Sequence, residues 1–228
     1  MPDPAADPAR PNAVSTPYDP PSGPIPVLFE DAHVMVVDKP AGLLSVPGRG
    51  EHLADCLIAR LKEMRPEVLL CHRLDRDTSG IMVFALTKEA QRVLGRMFET
   101  KRIAKRYVAR VEGRVAEAKG TIDLPLIVDW ANRPLQRIDH EIGKPSVTDW
   151  QRMEVEDGPA TRMRLMPRTG RSHQLRVHMK ALGHPILGDP FYSEGWQAHP
   201  RMMLHAEGLK FAHPVTDKVM RLEAPCPF

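Results

Sequence analysis

Hydrophobic positions along this chain switch between strand-like runs and helix-like stripes. In "PVLFEDAHVMVVDKPAGLLSVPG" (26–48), the pattern predicts strand, turn, strand, loop. Val34, Met35, Val36 and Val37 form an unbroken apolar run that suits a buried strand, and "DKPAG" breaks it. Leu53, Leu57, Leu61 and Met64 then recur at helical spacing, and Pro66 ends the helix. "VLLCHRLD" (68–75) reads as a short strand, "TSG" (78–80) as a turn, and "IMVFALT" (81–87) as a second buried strand. Thr87 is placed to cap a helix whose apolar stripe is Ala90, Val93, Leu94, Met97 and Phe98.

Further on, "KRYVARVEG" (105–113) alternates, with Tyr107, Ala109 and Val111 on one face of a strand. Short strands follow in "GTIDLPLIV", "KPSVTDWQRME" and "ATRMRLM". "RTGRSHQLRVHMKALG" (168–183) reads as a helix with Ser172 as N-cap, Leu175, His178, Met179 and Leu182 on its buried face, and Gly183 as its stop. "RMMLHAEGLKFAHP" and "VMRLEAP" close the chain as strands. Many strands with a few irregularly inserted helices predict an α+β fold rather than a βαβ alternation.

The 228 residues suffice for a sizeable core. Residues 1–24 hold eight prolines among Ala, Asp and Ser. That composition cannot pack a core, so a disordered tail is expected there, with one domain over 25–228. No membrane span is expected, because the longest apolar runs, such as 81–86, are far too short, and nothing resembles a signal peptide. Three cysteines without a CxxC pair suit reduced thiols and a cytoplasmic protein. The sequence carries no signal for an oligomer, so a monomer is expected.

Net charge is only +3, but it is unevenly distributed. Residues 88–114 carry nine basic residues against Glu89, Glu99 and Glu112, and residues 160–182 carry six with no acid. Two basic blocks fit a polyanionic partner such as a nucleic acid, although solvated faces give the same pattern.

Metal chemistry finds no support, since ten histidines form no HExxH or Cys/His cluster and His178 fits a satisfied core histidine. Kinase or NTPase chemistry fails as well. "HRLD" lacks the later Asn, and no GxGxxG or GxxxxGK[ST] occurs. What remains is "HRLDRDTSG" (72–80), with two carboxylates between arginines. Asp75 or Asp77 could be a nucleophile, a base, or an ion-pair anchor for a turn, and spacing does not choose between them. Arg168, Arg171, Arg176 and Lys180 lie along or just before the 173–182 helix, with His173, Arg176 and Lys180 on one face. They suit a phosphate clamp or a solvated surface. Tyr107, among basic residues, could be a core ring or could stack on an RNA base.

"HRLDRDTSG" resembles the signature of the RluA-type pseudouridine synthases. "VMVVDKPAGLLSVPG" (34–48), "AKRYVARVEG" (104–113) and "GRSHQLRVHMKALGHPILGDPFY" (170–192) resemble three further motifs of that family, in the family's order. "LPLIVDWANRP", "GKPSVT" and "RMMLHAE" narrow the resemblance to its short members, which lack an N-terminal S4 domain. The resemblance implies a pseudouridine synthase fold: a mixed, mainly antiparallel sheet with flanking helices and a central active-site cleft. It implies an isomerase that turns uridine into pseudouridine in 23S rRNA and the tRNA anticodon stem-loop, with neither metal nor cofactor, and with RNA rather than DNA or membrane as partner.

Carried over by motif, the essential aspartate is Asp75, the active-site tyrosine Tyr107, and the arginine paired with the aspartate Arg176. Arg73 matches the residue that fills the gap left by a flipped base. His72, Leu74, Arg168, Arg171, His173 and Lys180 are expected to meet the substrate. Two rivals are a non-catalytic RNA-binding module and a family member with a different RNA target.

Overall fold

The computed structural model describes residues 18–155 and 158–228. Most of the expected tail, residues 1–17, lies outside these. Tyr18 does not behave as tail: its hydroxyl donates to the Asp55 carbonyl oxygen at 2.9 Å and accepts the Leu44 amide at 3.0 Å, while Arg60 donates to Pro21 O at 2.8 Å. The boundary expected at residue 24 therefore comes after contacts that begin at Tyr18.

Among the described residues ten strands form one sheet. Its main path runs β1 (Val27–Glu30), β2 (Val34–Lys39), β4 (Ser79–Ala85), β11 (Leu204–Ala212), β5 (Ala104–Glu112), β10 (Ala160–Pro167), β9 (Val147–Val155) and β6 (Lys119–Asp123). The short β3 (Leu69–Leu70) joins β4, and β12 (Val219–Glu223) joins β11. β7 (Leu126–Val128) and β8 (Gln136–Ile138) pair separately. Among the described strands of the large sheet, β4 and β11 run parallel, with His205 opposite Ser79 and Ala206 opposite Gly80, and the other pairs run antiparallel. Three α-helices are described: α1 (Leu57–Met64), α2 (Lys88–Glu99) and α3 (Gln174–Ala181). The expected α+β architecture, a mixed and mainly antiparallel sheet, is what the chain forms.

The continuous apolar runs became central strands. All seven residues of β4 are buried, as are Val34 to Val37 of β2. Each fully buried aliphatic side chain contributes about 1.5–3 kcal/mol to holding this half together. α2 is capped as expected, with Thr87 Oγ1 accepting the Ala90 amide at 3.2 Å, and it buries Ala90 and Leu94.

Four local expectations differ from the structure. Leu53 belongs to a short 3-10 turn, and α1 starts only at Leu57. The strand expected over 68–75 is confined to Leu69–Leu70. The turn expected at "TSG" lies earlier, where the Thr78 amide donates to Asp75 O at 3.2 Å, so Ser79 and Gly80 already open β4. Gly80 is required at that point. Its φ is +115°, and a Cβ there would lie 2.2 Å from Ala206 O on the parallel neighbour.

The fourth difference is at α3. Its N-cap is His173 in the left-handed conformation (φ 53°), not Ser172. Its C-terminus follows expectation. Gly183 (φ 88°) and His184 donate back to Lys180 O and Met179 O at 3.0 Å each, closing the last turn.

The core has two main halves. One packs β1, β2 and β4 against α1 and α2; the other packs β5, β9 and β10 against α3. Tyr107 on β5 packs against both. The loop between β3 and β4 and the N-terminal end of α3 meet beside it, and they bring in the two charged motifs.

Candidate active site

A cavity of about 440 Å³ opens where these elements meet. Its wall includes His72, Arg73, Leu74, Asp75, Tyr107, Arg168, Arg171, His173 and Arg176. The volume suits a nucleoside-sized guest. Of the expected site residues, Lys180 alone is absent from the wall. It is exposed, and its ammonium lies 5.9 Å over the Tyr192 ring.

The loop that carries Asp75 is tied down on both sides. Ser45 Oγ donates to Leu74 O at 2.7 Å and accepts the Leu74 amide at 3.1 Å. Next to Asp75, the carbonyl of Arg76 accepts from the Gly42 amide and from Lys39 Nζ, each at 2.9 Å. Lys39 is wholly buried on β2 and also donates to Pro40 O and Leu43 O, at 2.8 and 2.6 Å. Burial brings its ammonium down to about 7, against the pull of Asp77 and Asp75. Thus the "DKPAG" segment, expected only to break a strand, is the clasp of the neighbouring motif.

The two aspartates of "HRLDRDTSG" separate in the fold. Asp77 takes both contacts from its neighbour Arg76, at 2.9 and 3.2 Å. Asp75 faces the cavity with its side chain 31% exposed, and Oδ2 lies 3.3 Å from Arg176 Nη1. Arg76 therefore does not serve Asp75, and Arg73 projects at the rim, with Nη2 3.4 Å from Ser172 Oγ.

Burial would raise the Asp75 carboxyl, but His173 (when protonated), Arg176 and Arg73 outweigh it and hold the group below the usual carboxylate range. His173 itself is pushed down to about 4 by burial and by Arg176. At neutral pH that imidazole is uncharged, so Arg176, in direct contact, and Arg73, farther off, are the cations that keep Asp75 ionised.

Arg176 is only 2% exposed, although helical spacing placed it on a face that could be solvated. The difference comes from Asp189, itself 0% exposed. Its two oxygens take Arg176 Nε and Nη2 at 2.7 Å each. Asp189 Oδ1 also accepts the Phe191 and Tyr192 amides, at 2.9 and 3.2 Å. Burial opposes the guanidinium's charge, but Asp189 and Asp75 together raise its affinity for the proton further still.

His173 is wedged by the same segment. Its Nδ1 is hydrogen-bonded to the Tyr192 hydroxyl at 2.8 Å, and its ring stacks on Phe191 with centroids 5.4 Å apart. These contacts hold a non-glycine residue in left-handed backbone, a strained state that favours a residue with local partners. Gln174, buried behind it, accepts from Thr169 Oγ1 and the Arg171 amide and donates to Val147 O and Thr148 Oγ1.

Burial and the Asp75 carboxylate both push the Tyr107 phenol up, so it stays protonated at neutral pH. His72 accepts the Val83 amide through Nε2 at 3.0 Å and packs on Phe98, and burial takes it down to about 3. It is a neutral part of the wall. Arg168 reaches the wall, but Asp149 takes its guanidinium at 2.6 and 2.8 Å, so its charge is largely matched. His178 is the satisfied core histidine expected, bonded to Thr148 Oγ1 and Leu124 O. Among the described residues no group of three or more His, Cys, Asp or Glu could hold a metal ion.

An ionised carboxylate on a cavity wall, facing a buried arginine and a neutral tyrosine, matches the arrangement implied by the motifs. Residues 33–181 match the model of the family described as RNA pseudouridylate synthase. The chain belongs to the RNA pseudouridylate synthase family. Its reaction is therefore isomerisation of uridine in RNA to pseudouridine.

The "Dual-specificity RNA pseudouridine synthase RluA" of Escherichia coli strain K12 is 50% identical over 214 residues, covering 92% of this chain and 98% of that protein. The protein of the same name from Vibrio vulnificus is 50% identical over 218 residues, covering 92% and 87%. In structure, "Human RNA Pseudouridylate Synthase Domain Containing 1" aligns with a TM-score of 0.76 at 34% identity, covering 92% of this chain and 87% of that one. The RluA-type resemblance of the four motifs is borne out by these relatives. Lys39, Ser45, Gln174, Asp189 and Tyr192 lie inside the quoted motifs but were given no role from the sequence, and they hold the site together.

Proposed function

We propose that this enzyme modifies uridines in both 23S rRNA and the tRNA anticodon stem-loop, in the cytoplasm, as a monomer with one catalytic domain that begins by Tyr18 and runs to residue 228. Asp75 is the catalytic carboxylate. The observation that carries this reading is the Asp75–Arg176–Asp189 chain, in which the cavity end is open and the far end is fully buried. The dual target is supported by the motif resemblance and by half-identical relatives named as dual-specificity enzymes.

The reaction breaks the uridine N1–C1′ bond and forms a C5–C1′ bond. C5 loses a proton and N1 gains one, so no electrons are exchanged with another reactant. The target nucleotide first leaves its stack, at a cost of a few kcal/mol. Arg73, at the rim, fills the space it leaves, and Arg171 meets flanking phosphates. The carboxylate of Asp75 starts N1–C1′ cleavage, and Arg176 keeps it charged and aimed. Tyr107, Leu74, His72 and His173 enclose the detached uracil while it turns. Because the Tyr107 phenol stays protonated, its part is to pack on the uracil; the C5 proton is lost to water and N1 takes one up from water, which balances the step.

The test supplies the purified enzyme with 23S rRNA fragments and tRNA transcripts labelled with tritium at uridine C5. Release from both, with pseudouridine mapped to single positions in each, is the expected result. Release from one RNA class alone would reduce the enzyme to a single target, and release from neither would leave an RNA-binding module.

A further inference from the structure

We propose that the outer face of α2 carries the phosphate backbone of the substrate RNA as its target nucleotide enters the cavity. The proposal rests on the RNA-modifying reading above and names the surface that holds the RNA. Lys88, Arg92 and Arg96 stand one helical step apart, at i, i+4 and i+8, and all three are exposed. Among the described residues none of their side chains has an ion-pair or hydrogen-bond partner. Many arginines elsewhere on this protein are matched: Arg60 by Asp55, Arg65 by Glu30, Arg106 by Glu207 and Glu223, and Arg168 by Asp149.

The face breaks three local rules at once. Like charges four residues apart repel on a helix surface. Lys88 is the first helical residue, where the helix dipole favours an acid. Gly95 sits mid-helix, where glycine is the poorest choice short of proline. Packing does not require it, because a Cβ there would meet nothing within 4 Å. No contact within the described protein offsets these costs, so their compensation is sought in a bound partner.

Position and charge identify that partner. Lys88, Arg92, Gly95 and Arg96 line a groove that Glu99 shares, and Glu99 also borders the catalytic cavity. The cations thus form a ridge about 12 Å long in a groove that adjoins the cavity through Glu99. A regular line of cations beside an open helix backbone fits a regular line of anions, and the missing Cβ at Gly95 lets that strand come close. A second groove, bounded by β5, β11 and β12, also reaches the cavity rim; there Arg106 and Arg168 are paired with acids, and Lys101, Lys210 and Arg221, unpaired among the described residues, are set among Ile103, Leu209, Leu222 and Glu223. What favours α2 is arrangement: its three cations stand in one line beside Gly95, where a Cβ would meet nothing within 4 Å.

The test uses the full-length enzyme and a stem-loop RNA containing the target uridine. Dissociation constants are measured from about 50 to 200 mM salt. Arg92→Ala/Arg96→Ala should weaken binding roughly tenfold at low salt and flatten the slope of log affinity against log salt by about 1.5–2. Single-turnover tritium release at saturating RNA should stay within about twofold of wild type. Gly95→Leu, which changes no charge, should also weaken binding while raising the unfolding temperature. An unchanged salt slope in the double variant overturns the proposal, as does Gly95→Leu binding RNA like wild type. Wild-type enzyme that binds with the expected slope but releases no tritium would remove the catalytic reading and leave the docking face standing.

Discussion

Asp189→Asn tests how the catalytic carboxylate is held. Asp189 and Arg176 are 0% and 2% exposed and share two contacts of 2.7 Å. The substitution keeps an oxygen for the Phe191 and Tyr192 amides, so the turn itself should survive. What disappears is the charge that matches a buried guanidinium. Removing one partner of a buried ion pair costs about 3–5 kcal/mol. Asp75, 3.3 Å from Arg176 Nη1, remains as partial compensation, which places the expectation near the lower end, at about 3 kcal/mol.

At about 2–4 °C per kcal/mol for a chain of this size, the melting temperature should drop by roughly 6–12 °C. Arg176 should then swing toward Asp75, and a misplacement of about 1 Å costs up to roughly 10²-fold in rate. Denaturant unfolding measures the first effect and single-turnover tritium release the second. A variant that unfolds like wild type would refute the claim that this pair anchors Arg176. One that is destabilised yet turns over at the wild-type rate would refute the claim that the anchor positions Asp75.

Three further outcomes follow from the same geometry. Stability should fall as pH drops from 6.5 to 5, because His72 and His173 are held neutral with values of about 3 and 4. The unfolded chain binds their protons first, so the stabilisation is complete above about 6.5 and each histidine should cost about 2 kcal/mol by pH 5 in urea titrations. A flat profile would contradict their burial. Ser45→Ala should lose about 1–3 kcal/mol, since both backbone groups of Leu74 lose their partner beside Asp75. Equal urea midpoints for the variant and wild type would count against that clasp. Gly95→Ala should gain about 0.5–1 kcal/mol, read as a raised melting temperature, because nothing occupies the space its methyl would fill.

What the sequence displayed and what it concealed divide along physical lines. β2, β4 and α2 were legible because each rests on a local signal: an unbroken apolar run, or a stripe behind a threonine cap. The N-cap of α3 was not legible. Ser172 has the right side chain, but Tyr192 and Phe191 fix His173 instead, and those contacts bridge eighteen or nineteen residues. The burial of Arg176 depends likewise on Asp189, thirteen positions away, and the quieting of Arg168 on Asp149 from a neighbouring strand. Lys39 ends an apolar strand as a lysine usually would at a surface, and only the fold shows the three carbonyls that receive it. Motif resemblance chose Asp75 over Asp77 where charge spacing did not. The structure gives a physical reason for that choice, since Asp77 is occupied by its own neighbour.

The most direct measurement of the central claim is tritium release by Asp75→Asn at saturating RNA, with RNA affinity measured on the same preparation. Asparagine keeps the shape beside Arg176 and removes the charge. No release above background is expected, with the dissociation constant within about threefold of wild type. Release at a rate within about tenfold of wild type would contradict the role given to Asp75.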